Sequence, residues 1–164
     1  MIRDILNTSR LQVQSNSEPA TMLSMEEILL DLCEPYQLIA KTKKIQFEMD
    51  ILDDISVYLP ENQLKKAISN ILSNAVNYTE AGRKISVTLD GKKLSIHNEC
   101  DALSPEQLEH IFEPFYRPDL ARNRETGGNG LGLYIVQTIL DKLHLKYRFV
   151  PMKKAKGMDF TIYF

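Results

Sequence analysis

The sequence carries no cluster of metal-binding side chains. Its two cysteines, Cys33 and Cys100, stand far apart, and its three histidines, at positions 97, 110 and 144, share no ligand spacing. No apolar run approaches the roughly 20 residues of a membrane span, and no secretory signal opens the chain. The thiols therefore read as reduced groups of a cytosolic protein, with Cys33 packed inside. Net charge is only −2, so neither a nucleic-acid partner nor direct membrane contact by this chain is expected. No serine–histidine–acid or cysteine–histidine arrangement for nucleophilic catalysis is present. Also missing are the dinucleotide fingerprint, which needs a strand leading into its glycines, and a phosphate loop ending in Lys-Ser/Thr.

What is present begins with size. The chain has 164 residues, 43% hydrophobic and 26% charged, which suits one domain with a substantial core. Residues 1–13 carry a short apolar stripe, Ile2, Ile5, Leu6 and Val13, too short for an independent helix. A polar linker spans residues 14–23. From Ser24 the pattern is that of a domain. Ser24 and Glu27 have capping-box spacing, and Ile28, Leu29, Leu32, Tyr36 and Ile39 continue an apolar face to about Lys43. Pro35 predicts a kink or break in that helix. Strands are predicted over 45–51 and 55–59, and a long helix from Pro60 to Thr79. A hairpin follows at 84–89 and 94–97, turned by Asp90-Gly91. Ser104, Pro105 and Gln107 start a short helix ending near Ile111. Residues 112–129 form a long loop, residues 130–143 a helix, and strands over 145–150 and 158–164 close the chain.

Two features point to chemistry. In Gly127-Gly128-Asn129-Gly130-Leu131-Gly132-Leu133, glycines run straight into an apolar helix. Unpaired N–H groups and the positive end of a helix dipole favour phosphate there. On the predicted helix 61–79, Leu64, Ile68, Ile71, Leu72 and Ala75 form one stripe, while Gln63, Lys66, Asn70, Asn74 and Asn77 stand roughly opposite. Asparagine is a poor helix former, so three on one stripe imply a purpose other than helicity. Their carboxamide oxygens suit Mg²⁺. Arg117, Arg122 and Arg124 on the long loop have guanidinium forks that suit phosphate, although arginines in such loops usually face water. His97 reads as a packed or hydrogen-bonded strand residue.

These motifs resemble, in order and spacing, those of the sensor histidine kinases. Asn70-Ile-Leu-Ser-Asn74-Ala-Val-Asn77-Tyr78-Thr79 is similar to their N box, Phe112-Glu-Pro-Phe115-Tyr116 to their F box, and Gly128-Asn-Gly130-Leu131-Gly132-Leu to their second glycine box. The resemblance implies the C-terminal catalytic and ATP-binding domain of the GHKL ATPase superfamily. Its fold would be a two-layer α/β sandwich, a mixed and mainly antiparallel sheet with helices on one face (the Bergerat-type ATP-binding fold). The domain would span 24–164, with 1–13 the tail of a dimerisation hairpin's second helix.

The resemblance also implies roles. Asn74 would coordinate Mg²⁺ bridging the phosphates of ATP, with Asn70 beside it; these two are the expected catalytic residues. Tyr78 would lie against the adenine, and Asn98 would accept from its amino group. Asn77, Arg117 and Arg124 would face the nucleotide, and Gly128, Gly130, Leu131 and Gly132 would shape the hinge of an ATP lid over 112–129. Asn98 stands where the family usually has aspartate, Cys100 where it has glycine, and Asn77 where lysine is common. An uncharged Asn98 is able to turn its amide outward, which predicts weak discrimination between adenine and guanine.

None of the histidines has the helical setting of the family's phosphoacceptor. The expected reaction is therefore transfer of the γ-phosphoryl group to a histidine on the kinase's own dimerisation domain, outside this chain, and relay to a response regulator. A homodimer is expected only in the full-length protein, with this fragment as the cytoplasmic domain of a membrane-anchored sensor. Two rivals remain: a degenerate, non-catalytic nucleotide-sensing module, and a chaperone-like or mismatch-repair-like ATPase. The hydrolytic relatives usually carry glutamate where Asn70 stands.

Overall fold

A computed structural model describes residues 18–118, 128–152 and 156–164. In chain order the elements are β1 (Thr21–Ser24), α1 (Met25–Thr42), β2 (Gln46–Asp53), β3 (Ser56–Leu59), α2 (Glu61–Tyr78), β4 (Lys84–Asp90), β5 (Lys93–Asn98), α3 (Pro105–His110), α4 (Gly132–Lys142), β6 (Lys146–Pro151) and β7 (Met158–Tyr163). Five strands form one sheet in the order β2-β4-β5-β7-β6. β2 and β4 are parallel, and the other pairs are antiparallel. β1 and β3 form a separate antiparallel pair.

Alternation along the strands creates the two layers. Ile85, Val87 and Leu89 of β4 lie in register with Asn98, Ile96 and Leu94 of β5, and all six are buried. The intervening positions are polar: Ser86, Thr88, Ser95, His97 and Thr161. One sheet face therefore takes the helices, as expected for the sandwich. α2 lays its predicted stripe, Leu64, Ile68, Ile71, Leu72 and Ala75, into this core, and all five are buried. α1 and α4 flank it, both in contact with α2.

Helix α1 differs from the sequence reading in two respects. It runs unbroken through Pro35. Pro35 and Asp31 both lie on the exposed side, so the carbonyl freed by the missing N–H meets water. The buried line passes through Leu29, Cys33 and Ala40, and Ile39 is 45% exposed. Ile28, Leu29, Leu32 and Tyr36 pack on the core as expected, and only at the end of the helix does Ala40 take the buried place expected of Ile39. Burial pushes the Cys33 thiol up to about 12. The Tyr36 hydroxyl reaches the Ser69 carbonyl at 3.0 Å and its hydroxyl at 2.6 Å, pinning α1 to α2.

The hairpin loop consists of Gly91 and Lys92, one residue later than the Asp90-Gly91 pair. Asp90 still pairs with Lys93, and only Gly91 takes positive φ (54°). β1 falls partly within the predicted linker; its four residues lack a distinctive alternation, and it is held by pairing with β3.

The N-termini of α1 and α2 are covered by acids from elsewhere. Ser24 caps α1 by accepting from the Glu27 N–H, and Asp54 accepts from the Glu26 N–H at 2.9 Å. Pro60, at the N-cap of α2, offers no side-chain acceptor. The Glu18 carboxylate supplies one, accepting from the Asn62 and Gln63 N–H groups at 2.9 and 3.3 Å. Replacing Glu18 with Ala should lower unfolding stability by about 1 kcal/mol in urea titrations with an unchanged m-value, the usual cost of a lost cap.

Candidate active site

Helix α2 presents Asn70, Asn74 and Asn77 at i, i+4 and i+7 on one side, toward a cavity of about 660 Å³. Asn70 donates its Nδ2 to the Lys66 carbonyl at 2.8 Å, which commits the nitrogen to the helix and leaves Oδ1 as the outward end. Across the cavity stands Gly132, the first residue of α4. A Cβ placed on Gly132 would lie 3.5 Å from Asn74 Oδ1 and 3.6 Å from Asn70 Oδ1. Two neutral oxygens thus converge on one helix start. Such oxygens fit a hard divalent cation that takes its other ligands from phosphate and water. Among the described residues, no group of three His, Cys, Asp or Glu side chains could hold a metal by itself. The N-cap residue of α4, Leu131, makes no side-chain cap.

The start of α4 is located by a backbone contact. The Phe115 N–H donates to the Gly130 carbonyl at 3.0 Å. Gly130 has φ +75°, and a Cβ there would lie 2.8 Å from the Phe115 carbonyl carbon and 3.0 Å from the Tyr116 oxygen. Only glycine permits both the conformation and the approach. Phe115 itself has φ +66°. Asn129 Oδ1 accepts from the Leu131 N–H at 3.2 Å, which fixes the turn into α4. Phe112 anchors the other side, with its ring edge-on to Tyr147, Phe149 and Phe160 at centroid distances of 5.9, 6.4 and 6.5 Å. Tyr116 packs 5.6 Å from the ring of His110 and lines the cavity.

At the far end of the cavity Asn98 occupies a core-facing position at the end of β5 and is 8% exposed. Its Nδ2 donates to Thr79 Oγ1 at 3.3 Å, and Thr79 Oγ1 donates to the Ala75 carbonyl at 2.7 Å. Burial raises the pKa of the Cys100 thiol, against opposing hydrogen bonds with the Asn98 side chain and the Met158 backbone. Asn98 is therefore tethered, contrary to the freely turning amide expected from sequence. Glu80, Arg83 and Asp101 also line this end. Arg83 pairs with Glu80 at 3.0 Å and stands 3.8 Å from Asp101, which Lys156 approaches to 3.6 Å.

Most of the anticipated residues meet here. Asn70, Asn74, Asn77, Tyr78, Asn98, Gly128, Gly130, Leu131 and Gly132 all line the one cavity. Arg117 does not line it, and its Nε is buried in the protein. Arg124 lies outside the described residues. Gln63, grouped by sequence with the asparagines, is 8% exposed at the start of α2 and away from the cavity. His97 is a hydrogen-bonded strand residue as expected, its Nδ1 at 3.0 Å from the Met158 oxygen. Sequence reasoning passed over Thr79, Arg83 and Asp101. The first carried a usable signal, a hydroxyl in the last turn of a helix, four residues after Ala75.

Comparisons with known proteins bear on family and fold. Residues 60–164 match the family described as histidine kinase-, DNA gyrase B- and HSP90-like ATPase. The sensor histidine kinase RppB of Synechocystis is 34% identical over 167 residues, covering 99% of this chain and 37% of that protein. The chain thus spans about a third of the curated relatives it matches. Full-length ShkA in complex with AMPPNP superposes with a TM-score of 0.77 at 23% identity, over 97% of this chain and 34% of that one. The histidine kinase ThkA, solved with the response regulator TrrA, superposes at 0.71 and 20% identity, over 97% and 46%. These two likenesses establish the fold.

A Gly130→Ala variant should lose about 1–3 kcal/mol, because it forces positive φ on alanine and drives the methyl into the Phe115 backbone. Thermal unfolding would register that as a lower Tm, whereas Gly82→Ala, whose Cβ meets nothing within 4 Å, should pay only for its φ of +83°.

Proposed function

This chain belongs to the family of histidine kinase-, DNA gyrase B- and HSP90-like ATPases, and from that premise we propose that it is the ATP-binding catalytic domain of a two-component sensor histidine kinase. It holds ATP in the cavity between α2 and α4. It presents the γ-phosphoryl group to a histidine on the dimerisation domain of the same kinase, and the group then passes to an aspartate of a response regulator. On this reading the domain works in the cytoplasm as part of a membrane-anchored protein. Among the described residues no helix is long and apolar enough to cross a membrane.

The observation that carries the reading is the convergence of Asn70 Oδ1 and Asn74 Oδ1 on Gly132. A triphosphate lying there meets the amides at the start of α4, where the helix dipole favours anions. Asn74, with Asn70 beside it, would hold Mg²⁺ against the phosphate oxygens. When bound, the ion would neutralise phosphate charge and fix the phosphate chain. Asn77 and Tyr78 face the nucleotide between the phosphate end and Asn98. Phosphoryl transfer asks the protein chiefly for position and charge stabilisation. The asparagine pair and the clamp that positions Gly132 supply the former, and the helix amides contribute to the latter.

Isothermal titration of ATP with and without Mg²⁺ tests the proposal. Binding should depend on Mg²⁺, and Asn74→Ala should remove most of that dependence. Gly132→Ala is the sharper variant. Its methyl meets only ordinary contacts at 3.5 Å and beyond, so the fold should hold or gain slightly in stability. It nevertheless stands where phosphate and metal must fit, and ATP affinity should fall roughly tenfold or more, about 1.4 kcal/mol. Unchanged ATP affinity in Gly132→Ala would remove the triphosphate from this position.

A further inference from the structure

We propose that Thr79 is a positioning residue that fixes the polarity of the Asn98 carboxamide, so that the cavity accepts a 6-aminopurine and rejects a 6-oxopurine. The inference rests on the nucleotide reading above and adds to it the base selectivity of the same site.

The argument follows one proton. A threonine hydroxyl has a single hydrogen to donate. Thr79 Oγ1 lies 2.7 Å from the Ala75 carbonyl, the usual length of an O–H···O bond. Ala75 lies one helical turn before Thr79, and its carbonyl can only accept. The hydroxyl proton is therefore committed to Ala75, and toward Asn98 the same oxygen can only accept. The Asn98 atom facing it, at 3.3 Å, has to be the amide nitrogen. Turning the amide over would set two acceptors against each other with both residues buried, Thr79 at 3% and Asn98 at 8% exposure. With the nitrogen held on Thr79, Oδ1 is the opposite end of the carboxamide and the one left for the cavity that Asn98 lines.

An oxygen in that place accepts from an exocyclic amino group. A 6-oxopurine would offer it a second acceptor. An uncharged asparagine can thereby discriminate between the two as an aspartate would, provided its neighbours prevent rotation. Thr79 never needs to touch the base.

The test compares ATP with inosine triphosphate, whose base carries an oxo group at position 6, by titration calorimetry with Mg²⁺. The wild-type domain should bind ATP at least about tenfold more tightly. Thr79→Ser retains the hydroxyl and should keep that ratio. Thr79→Val removes it and should bring the ratio to within about threefold of unity, because the amide is then free to present either end. A ratio in Thr79→Val equal to that of the wild type overturns the proposal, as does a wild-type ratio near one. If Thr79→Val does not fold, nitrogen-15 NMR of the wild-type protein without nucleotide decides the matter. The Asn98 side-chain amide protons should exchange with solvent much more slowly than those of the exposed Asn62, and equally fast exchange overturns the proposal. Failure of the wild type to bind either nucleotide would instead overturn the ATP reading itself.

Discussion

The site depends on one backbone contact, the approach of Gly130 to Phe115. Without it the two ends of a long loop have no fixed separation, and the start of α4 has no fixed place opposite α2. With it, Phe112 on the sheet, Gly130 on Phe115, and Gly132 across from Asn70 and Asn74 form a chain of short-range constraints. Each link is of a different kind: aromatic packing, a backbone hydrogen bond made possible by positive φ, and a glycine facing two asparagine side chains. The phosphate end of the cavity is therefore built by the loop's anchored ends.

The base end is built by the sheet. Strand alternation sends Leu94, Ile96 and Asn98 to the same face, so a polar residue arrives at the margin of the core. A buried carboxamide has to satisfy its hydrogen-bonding groups. The end of α2 satisfies part of them through Thr79. The same helix thus supplies asparagine oxygens to one end of the cavity and a fixed hydrogen-bond acceptor to the other. Among the described residues, Arg83 is the cation that lines the space between, and it is paired with Glu80. Helix amides, and the cation that the asparagines would hold, add to the affinity for a polyanion.

Much of this was legible in the residues because it is local or periodic. The stripe from Leu64 to Ala75 and the opposing asparagines follow from helical spacing. Ser104, Pro105 and Gln107 form the complete capping box that their order suggests. The illegible parts depend on contacts between distant segments. Glu18 caps α2 from 44 residues away, and no local pattern announces it. β1 exists because β3 is beside it. Pro35 reads as a helix breaker until its exposure is known, and Ile39 reads as core until Ala40 takes the buried position. Asn98 looked free to rotate because the hydroxyl that restrains it lies 19 residues earlier. Arg117 has the right chemistry for phosphate, but its Nε is buried and it does not line the cavity.

The central claim is that Asn70, Asn74 and the glycines before α4 close on one triphosphate. Its most direct measurement is a two-dimensional NMR titration with a non-hydrolysable ATP analogue, following the side-chain amides of Asn70 and Asn74 and the backbone amides of Gly128, Gly130 and Gly132. These five signals should shift together along one binding curve when Mg²⁺ is present. Glycine shifts that saturate while both asparagine amides stay unmoved would contradict the account.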